Sequence, residues 1–208
     1  MYARSTTIRA NPSSLDDAIA YMRDEVWPAM QGMDGCVGLS MMCDRESGRC
    51  IATSAWEDRG TMQASAERIH PMRQHLMDRF GAGEDLEVQE WEIAVLHREH
   101  TAADGGCARI TWTRTDPGKA DQLLDMYRAS LMPRIQEMPG FCSLSLLVDR
   151  ESGRAVGTVV LDGRAHLEQT REQSRMLREE SVKIMGADIL DVAEMDVVLA
   201  HFRVPETV

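Results

Sequence analysis

The spacing of hydrophobic positions changes several times along the first hundred residues, and each spacing predicts an element. Residues 3–9 are rich in β-branched side chains and predict a strand that stops at Asn11-Pro12. The apolar run 36–43, the charged turn 45–48 and the segment 50–56 predict a β-hairpin. Between the first strand and the hairpin, apolar residues recur at helical spacing: Leu15, Ala18, Ile19, Met22, Val26 and Met30.

A second helix is predicted over residues 61–80, and a last strand over 87–97. Two prolines interrupt the helical patterns. We expect Pro28 to bend or close the first helix near its end, and Pro71 to kink the second helix. The predicted order is therefore strand, helix, strand, strand, helix, strand.

The second half of the chain repeats this pattern with many of the same residues. Residues 44–49 read DRESGR, and so do residues 149–154. A constant shift of 105 positions aligns about 25 identical pairs between Tyr2 and Ala82, while the last strands align best at a shift of 104. We predict a first repeat over residues 1–98, a linker over 99–106, a second repeat over 107–203 and a tail over 204–208. We interpret the repeated hexapeptide as a charged hairpin turn and not as a functional site.

The βαββαβ order of each half is typical of a ferredoxin-like fold, with helices on one face of the sheet and the other face bare. A fused duplicate can cover that bare face. The predicted fold class is α+β, with two tandem ferredoxin-like halves packed sheet to sheet as an intrachain dimeric α+β barrel. Whether this pseudo-dimer pairs again as a homodimer stays open at this point.

Charge and composition exclude several kinds of partner. The formal net charge is -11 and no basic run occurs, so we expect neither nucleic acid nor an anionic membrane surface to bind. No apolar stretch approaches the roughly 20 residues that span a bilayer, and residues 1–8 do not resemble a signal peptide. The expected location is cytoplasmic.

The cysteines predict reduced thiols and no metal site. Their number is five and none form a C-x-x-C pair. Cys43 and Cys50 flank the first hairpin turn and can face each other across it. Because Val148 and Ala155 occupy the same places in the second repeat, we favour apolar packing over a redox role.

One arginine on the first strand of each repeat is a candidate for ligand binding. Alternation places Arg4 with Thr6, and Arg109 with Thr111, on one side of a central strand. A charged residue there must be paired with an acidic neighbour, lie at the strand end or face a wet cavity. If that side is the barrel interior, each half has an anion-binding or carbonyl-polarising group.

Aromatic and histidine side chains supply further candidates. Trp56 and Trp91 can stack on a planar ligand or belong to the core. His97 and His201 end the last strands of the two repeats and can act as bases near neutral pH, or serve the scaffold. The fifteen methionines predict an adaptable apolar interior that fills the core and can also admit an irregular hydrophobic ligand.

The exits from the first helices into strands 35–44 and 140–149, the hairpins, and Ala55-Trp56-Glu57 leading into the second helix carry a resemblance. In these parts the chain resembles the antibiotic biosynthesis monooxygenase family of the dimeric α+β barrel superfamily. That family includes quinone-forming monooxygenases that need no cofactor and enzymes that degrade haem. The resemblance covers both repeats, and it implies the fold more strongly than any one activity.

The haem-degrading relatives imply an Asn on the first strand, a Trp ending the third and a His on the second helix. Only Trp56 matches this set. Ala66 occupies the expected His position, and His70 lies one helical turn beyond it, followed at once by Pro71. We therefore expect no cofactor, and haem ligation by His70 is the disfavoured alternative.

Two functions follow from the resemblance and these residues. The first is a cofactor-independent monooxygenase acting on a hydrophobic aromatic or polycyclic small molecule. In it Arg4 or Arg109 holds the substrate anion with Thr6 or Thr111 beside it, Trp56 packs on the ring, and His97 or His201 takes the proton. The alternative is a non-catalytic protein of the same fold that binds or senses a small ligand, haem included.

Overall fold

A computed structural model describes residues 1–102, 104–202 and 205–207, without the side chains of residues 82–85, 185 and 202. The predicted linker and the ends of the second repeat and tail fall partly on Ala103, Arg203, Val204 and Val208, which lie outside the described residues. The strands are β1 Tyr2–Ala10, β2 Cys36–Cys43, β3 Arg49–Trp56, β4 Gly81–Arg98, β5 Cys107–Arg114, β6 Phe141–Asp149, β7 Arg154–Leu161 and β8 Asp188–Phe202. The α-helices are α1 Leu15–Tyr21, α2 Trp27–Gln31, α3 Arg59–Ala64, α4 Ala66–Phe80, α5 Ala120–Met126, α6 Met132–Gln136, α7 Arg164–Gln169 and α8 Arg171–Met185.

The chain forms two compact units, and the first consists of Met1–Glu92 with Asp196–Val204. Its sheet has the order β4, β1, β3, β2 and the end of β8. The central strand β1 pairs antiparallel with both neighbours, so that Ile8 lies opposite Cys50 on β3 and Leu86 on β4. One sheet face packs on the helices through a buried core that includes Ile8, Leu15, Met22, Met30, Leu39, Met41, Met62, Leu76 and Phe80.

The second unit consists of Ile93–Met195 with Pro205–Val208. Its sheet has the order β8, β5, β7, β6 and the end of β4, which repeats the order of the first unit. Its core joins helices and sheet in the same way and includes Leu124, Tyr127, Ile135, Leu144, Val148, Leu167 and Leu177. The predicted α+β class and βαββαβ order are confirmed in both units.

The compact units do not coincide with the predicted repeats. The end of β4, from Ile93 onward, belongs to the second unit, and Asp196 to Phe202 belong to the first. Residues predicted as a tail also hold a defined place, because the Leu96 backbone exchanges hydrogen bonds of 2.7 and 3.1 Å with Thr207 in the second unit. The repeat boundaries stay a prediction about the sequence.

Each first helix widens into a π-helical turn just before its proline. Met22–Val26 precedes Pro28, and Tyr127–Leu131 precedes Pro133. Proline has no N–H for the helical ladder and crowds the carbonyl four residues earlier, which a wider turn relieves. The helix runs on past Pro28 to Gln31, so Pro28 lies near the end of the helix, as predicted.

The second helix breaks where no proline is found. The predicted helix over 61–80 is two helices, α3 and α4, which separate at Ser65, and Pro71 lies inside α4. The second unit breaks at Thr170 although Met176 stands in the place of Pro71. Pro71 is thus not the cause of the break, and the two hydroxyl residues mark where it occurs.

Candidate functional site

Arg4 is a buried arginine that closes the broken helix of the first unit. Its Nε and Nη2 donate to Glu90 Oε1 at 3.2 and 2.8 Å. Its Nη1 donates to Ser65 Oγ at 3.1 Å, and Nη2 also donates to the Met62 carbonyl at 2.8 Å. The helix break exposes this carbonyl, and the guanidinium satisfies it. Arg4 is therefore paired with an acidic neighbour and points toward the helices, not into a space on the opposite sheet face.

Arg109 occupies the corresponding place in the second unit and makes one more hydrogen bond than Arg4. Its Nε and Nη2 donate to Glu194 Oε1 at 3.1 and 2.8 Å. Its Nη1 reaches Thr170 Oγ1 at 3.2 Å and Ser174 Oγ at 2.6 Å, and Nη2 reaches the Leu167 carbonyl at 2.5 Å. All five donors of the guanidinium are occupied. A ligand cannot bind Arg109 without displacing a protein partner.

The acidic partner Glu194 is held ionised by these contacts. Burial alone would raise the pKa of Glu194, but hydrogen bonds from Arg171 and Arg109 and their positive charges lower it overall. Arg171 Nη2 lies 2.7 Å from Glu194 Oε2, so the carboxylate bridges two guanidiniums.

A cavity lies beside each buried arginine, between the sheet and the helices of its unit. The second unit has a cavity of about 130 Å³, and Arg109, Thr111, Tyr127 and Arg178 are among the residues that line it. The first unit has one of about 50 Å³, lined among others by Arg4, Thr6, Met72 and Arg73. The four predicted residues of the β1 and β5 strands thus line the cavities.

Each cavity contains a second arginine that the sequence analysis missed. Arg73 on α4 and Arg178 on α8 are half-buried and correspond at the shift of 105. Arg73 Nε is buried and has no hydrogen-bond partner among the described residues. Arg178 forms no hydrogen bond or ion pair with any residue that the structure describes. Their identity in both repeats, next to the apolar stripe of the helix, was the available signal.

The surroundings of these two arginines disfavour their charge. Desolvation by burial, followed by the charge of Arg4, lowers the pKa of Arg73. Desolvation and the charge of Arg109 lower the pKa of Arg178, while Glu194 and Glu179 act in the opposite direction. A guanidinium that is partly desolvated and unpaired gains stability from an anion. The cavities can therefore bind an apolar ring that carries a negatively charged oxygen.

The predicted histidines lie away from these cavities. His201 pairs with Leu39 and stacks on Trp27, with ring centroids 5.0 Å apart, in the first unit. His97 lies in the second unit, where its Nδ1 is 3.2 Å from Glu206 and its ring lies 6.2 Å from that of Phe141. Neither histidine lines the cavity of its unit.

The predicted tryptophans are core residues. Trp56 is fully buried, and its indole N–H donates to Ser54 Oγ at 3.0 Å. Trp91 is also buried, and its N–H donates to Ser5 Oγ at 2.8 Å. Neither lines a cavity described above, so a ring bound there does not meet Trp56.

The first unit does not fit haem. His70 is exposed on α4 and is not among the residues that line the adjacent cavity. A space of about 50 Å³ is also far smaller than a macrocycle needs. We derive no chemistry through haem.

The thiols of Cys43 and Cys50 face each other as predicted. They are Cα partners in the β2–β3 ladder, both are buried, and their sulfurs are 3.0 Å apart. The hydrogen bond to Cys50, with burial, raises the pKa of Cys43. Such a thiol is a poor nucleophile and packs as a small apolar residue.

Relatives establish the family of the chain. It is 48% identical over 208 residues to the Mycobacterium tuberculosis protein Rv2557, covering all of this chain and 92% of that protein. It is 46% identical over 209 residues to Rv2558 of the same organism, covering all of this chain and 88% of that protein. The chain belongs to the Rv2557 and Rv2558 family. Both relatives carry the name "uncharacterized protein", so the family itself names no activity. No family model matches the chain.

Solved structures establish the fold. A "putative monooxygenase" from Lactobacillus acidophilus superposes with a TM-score of 0.70 at 8% identity, over 97% of this chain and 96% of that one. An "anthrone oxidase-like protein" gives 0.71 at 13% identity, over 97% and 92%. A haem-degrading enzyme from Listeria monocytogenes gives 0.53 at 11%, over 97% and 99%. These solved proteins share the α+β fold of this chain.

No helix formed by the described residues combines the length and the apolar composition that crossing a membrane requires.

Proposed function

We propose that this protein is a cofactor-independent monooxygenase that oxidises a small aromatic molecule carrying an acidic hydroxyl, bound in the cavity of the second unit. The observation that carries the proposal is the guanidinium of Arg178, which has no hydrogen-bond or ion-pair partner among the described residues and lies in the wall of a mostly apolar cavity. The fold it shares with proteins titled as a monooxygenase and as anthrone oxidase-like supports this reaction class.

The size of the cavity limits the substrate. An engineered apolar cavity of about 150 Å³ holds benzene, and the cavity here has a similar volume of about 130 Å³. Its walls include Leu131, Leu146 and Val159, which suit a ring, and Ile189 at 40% exposure gives access from solvent. A one-ring or two-ring substrate fits better than a polycyclic one.

The charges of the cavity favour the substrate anion. Arg178 can donate to the ionised oxygen, while Arg109 is fixed by its own partners and contributes its field. Positive charge lowers the pKa of a bound hydroxyl, so the proton leaves to water at the open side. The anion then gives electrons to O₂. One oxygen atom becomes a carbonyl at the ring carbon opposite the hydroxyl, and the hydroxyl carbon becomes the second carbonyl of a quinone. The hydroxyl hydrogen and the displaced ring hydrogen leave with the other oxygen atom as water.

The absence of a base favours a second candidate function. Among the described residues that line this cavity there is no carboxylate and no imidazole. A cavity of this composition also suits a protein that binds or senses an aromatic anion without converting it. The roles assigned to His97 and His201 stay predictions, and the proposed mechanism does not use them.

Binding and oxygen uptake, measured together, test the two functions. We would titrate the full chain with 1-naphthol and with naphthalene by calorimetry, and follow O₂ with an electrode. Since a charged hydrogen bond contributes about 1.5–3 kcal/mol, we expect Arg178→Met to weaken naphthol binding by at least tenfold and to abolish O₂ uptake. Met retains most of the apolar bulk of the arginine stem.

The first unit supplies the matched control. Arg73→Met changes the corresponding residue beside the smaller cavity and should leave naphthol binding unchanged. Equal affinity of wild type and Arg178→Met would contradict the anion site. Affinity that depends on Arg178 without any O₂ uptake would support the binding protein over the enzyme.

A further inference from the structure

A cluster of metal-binding side chains lies in the second unit, outside the cavity. His100 Nε2 lies 2.9 Å from Asp162 Oδ1, and Cys142 Sγ lies 3.2 Å from the same oxygen. The three ligand atoms all lie within 4.8 Å of one another. They come from three separate segments: the chain after β4, strand β6 and the turn after β7.

The backbone fixes these segments against each other. The amides of Glu99 and His100 donate to the Cys142 carbonyl at 2.9 and 3.3 Å. The Asp162 amide donates to the Gly140 carbonyl at 2.8 Å. The side chains therefore converge because the chain is held there, and their approach does not depend on one flexible loop.

A fourth candidate ligand lies next to the cluster. His166 is four residues after Asp162, at the start of α7, and its charge acts on the Asp162 carboxylate. It packs on Gly140, where an added Cβ would lie 2.4 Å from His166 Cγ. Gly140 has φ of 73°, which also favours glycine. His166 therefore packs against the residue two positions before Cys142.

The corresponding places in the first unit carry no such set. Val37, Glu57 and Thr61 stand at the positions of Cys142, Asp162 and His166. His100 belongs to the segment between the repeats and has no equivalent there. The fold of the first unit forms without these residues at the corresponding positions. The fold that both halves share therefore does not explain why the second unit has them.

We propose that His100, Cys142 and Asp162, with His166 as the fourth ligand, bind a zinc-class divalent metal ion. Zinc takes four ligands from Cys, His and Asp side chains in a tetrahedron. Bond lengths of about 2.0–2.3 Å place neighbouring ligand atoms roughly 3.3–3.8 Å apart. The pairs at 2.9 and 3.2 Å need only small side-chain movements to reach this spacing.

The metal would replace a proton. A cysteine binds a metal ion as the thiolate, so its thiol must lose a proton on binding. The bond between zinc and sulfur forms as the thiol proton leaves to solvent. The site would join the segment after β4 to β6 and α7, and its role would be to hold the second unit together. It is independent of the aromatic ligand proposed above.

Metal titration of the full chain tests the site. We would add Co²⁺ as an optical probe and Zn²⁺ in competition with a chelator of known affinity. We expect one equivalent of metal per chain, with intense tetrahedral cobalt bands and a thiolate-to-cobalt charge-transfer band. Zinc should also raise the melting temperature of the protein.

Exposed ligands make the test independent of folding. His100 is 47% exposed, so His100→Ala should fold normally and lose more than the roughly tenfold affinity that an outer-shell partner contributes. Cys142→Ser should remove the charge-transfer band, while Cys36→Ser, a cysteine of the first unit, should retain it. Absence of stoichiometric binding, or equal affinity of wild type and His100→Ala, would overturn the proposal.

Discussion

The two cavities have the same arginines but different walls. The wall residues Met22, Met30 and Met72 of the first unit correspond to Tyr127, Ile135 and Leu177 of the second. Flexible methionines fill irregular space, and the first cavity is about 50 Å³. Branched and aromatic side chains hold a fixed shape, and the second cavity is about 130 Å³. Both cavities thus carry the same pair of arginines. The cavity of the second unit has room for a ligand, whereas side chains nearly fill the cavity of the first.

The largest expected effect comes from removing the buried arginines. Arg109→Met removes the guanidinium from Glu194, the Leu167 carbonyl and two hydroxyls, and leaves Glu194 with Arg171 alone. Breaking a buried pair costs about 3–5 kcal/mol. Arg4→Met should cost less, because Arg4 makes four hydrogen bonds and Arg109 five. Urea denaturation of both variants measures the difference. A larger loss for Arg4→Met would contradict this ranking.

A single methyl group tests whether the larger cavity is the ligand site. Gly157 lines this cavity where Ala52 lines the smaller one, and an added Cβ would meet only Leu146 Cδ1 at 3.9 Å. Gly157→Ala should stabilise the fold by about 0.4–1 kcal/mol and weaken aromatic binding by about tenfold, which corresponds to 1.4 kcal/mol. Thermal unfolding measures the expected gain in stability, and calorimetry measures the expected loss of affinity. Unchanged affinity would exclude this cavity as the site.

Acid should weaken the ion pair between Arg109 and Glu194. The folded pKa of Glu194 is depressed, so its contribution to stability is present above the unfolded pKa of about 4.3 and is lost as pH falls through the folded value. Glu194→Gln should therefore flatten the loss of stability below about pH 4.5. Denaturant midpoints at pH 3 to 7 measure this slope. If stability falls equally steeply with pH in wild type and variant, Glu194 does not cause the loss of stability in acid.

The smallest effect is expected at the hairpin cysteines. The double variant Cys43→Val and Cys50→Ala installs the residues of the second unit, and volume-conserving apolar changes cost less than about 1.5 kcal/mol. Unfolding with and without reductant should give the same midpoint for wild type and variant. A midpoint that depends on reductant only in wild type would instead assign a redox role to the pair.

The sequence predicted the elements better than it predicted their interruptions. Strand alternation placed Arg4 and Thr6 on one face, and both line the cavity of their unit. Alternation does not tell whether helices or a second sheet cover that face. Only the structure shows that Arg4 faces the helices. Pro71 was expected to kink the helix because its effect on the backbone is local. Ser65, at the break, accepts a hydrogen bond from a guanidinium 61 residues away in sequence, and no local pattern contains that contact.

The candidate site was only partly accessible from sequence for the same reason. Trp56, His97 and His201 are residue types that often carry chemistry, yet the fold places them in the core or away from the cavities. Arg73 and Arg178 resemble ordinary surface arginines of a helix. Their value depends on the absence of a partner, which is a property of the three-dimensional surroundings.

The exchange of strand ends has a consequence for how the protein is made. Strand β2 pairs with residues from Asp196 to Phe202, so the sheet of the first unit lacks its outer strand until these residues have been synthesised. Until then β2 has an unpaired edge that includes Leu39 and Met41, and such an edge is prone to pair with other chains. A fragment of residues 1–98 should therefore self-associate. The repeats predicted from the sequence therefore differ from the compact units of the structure.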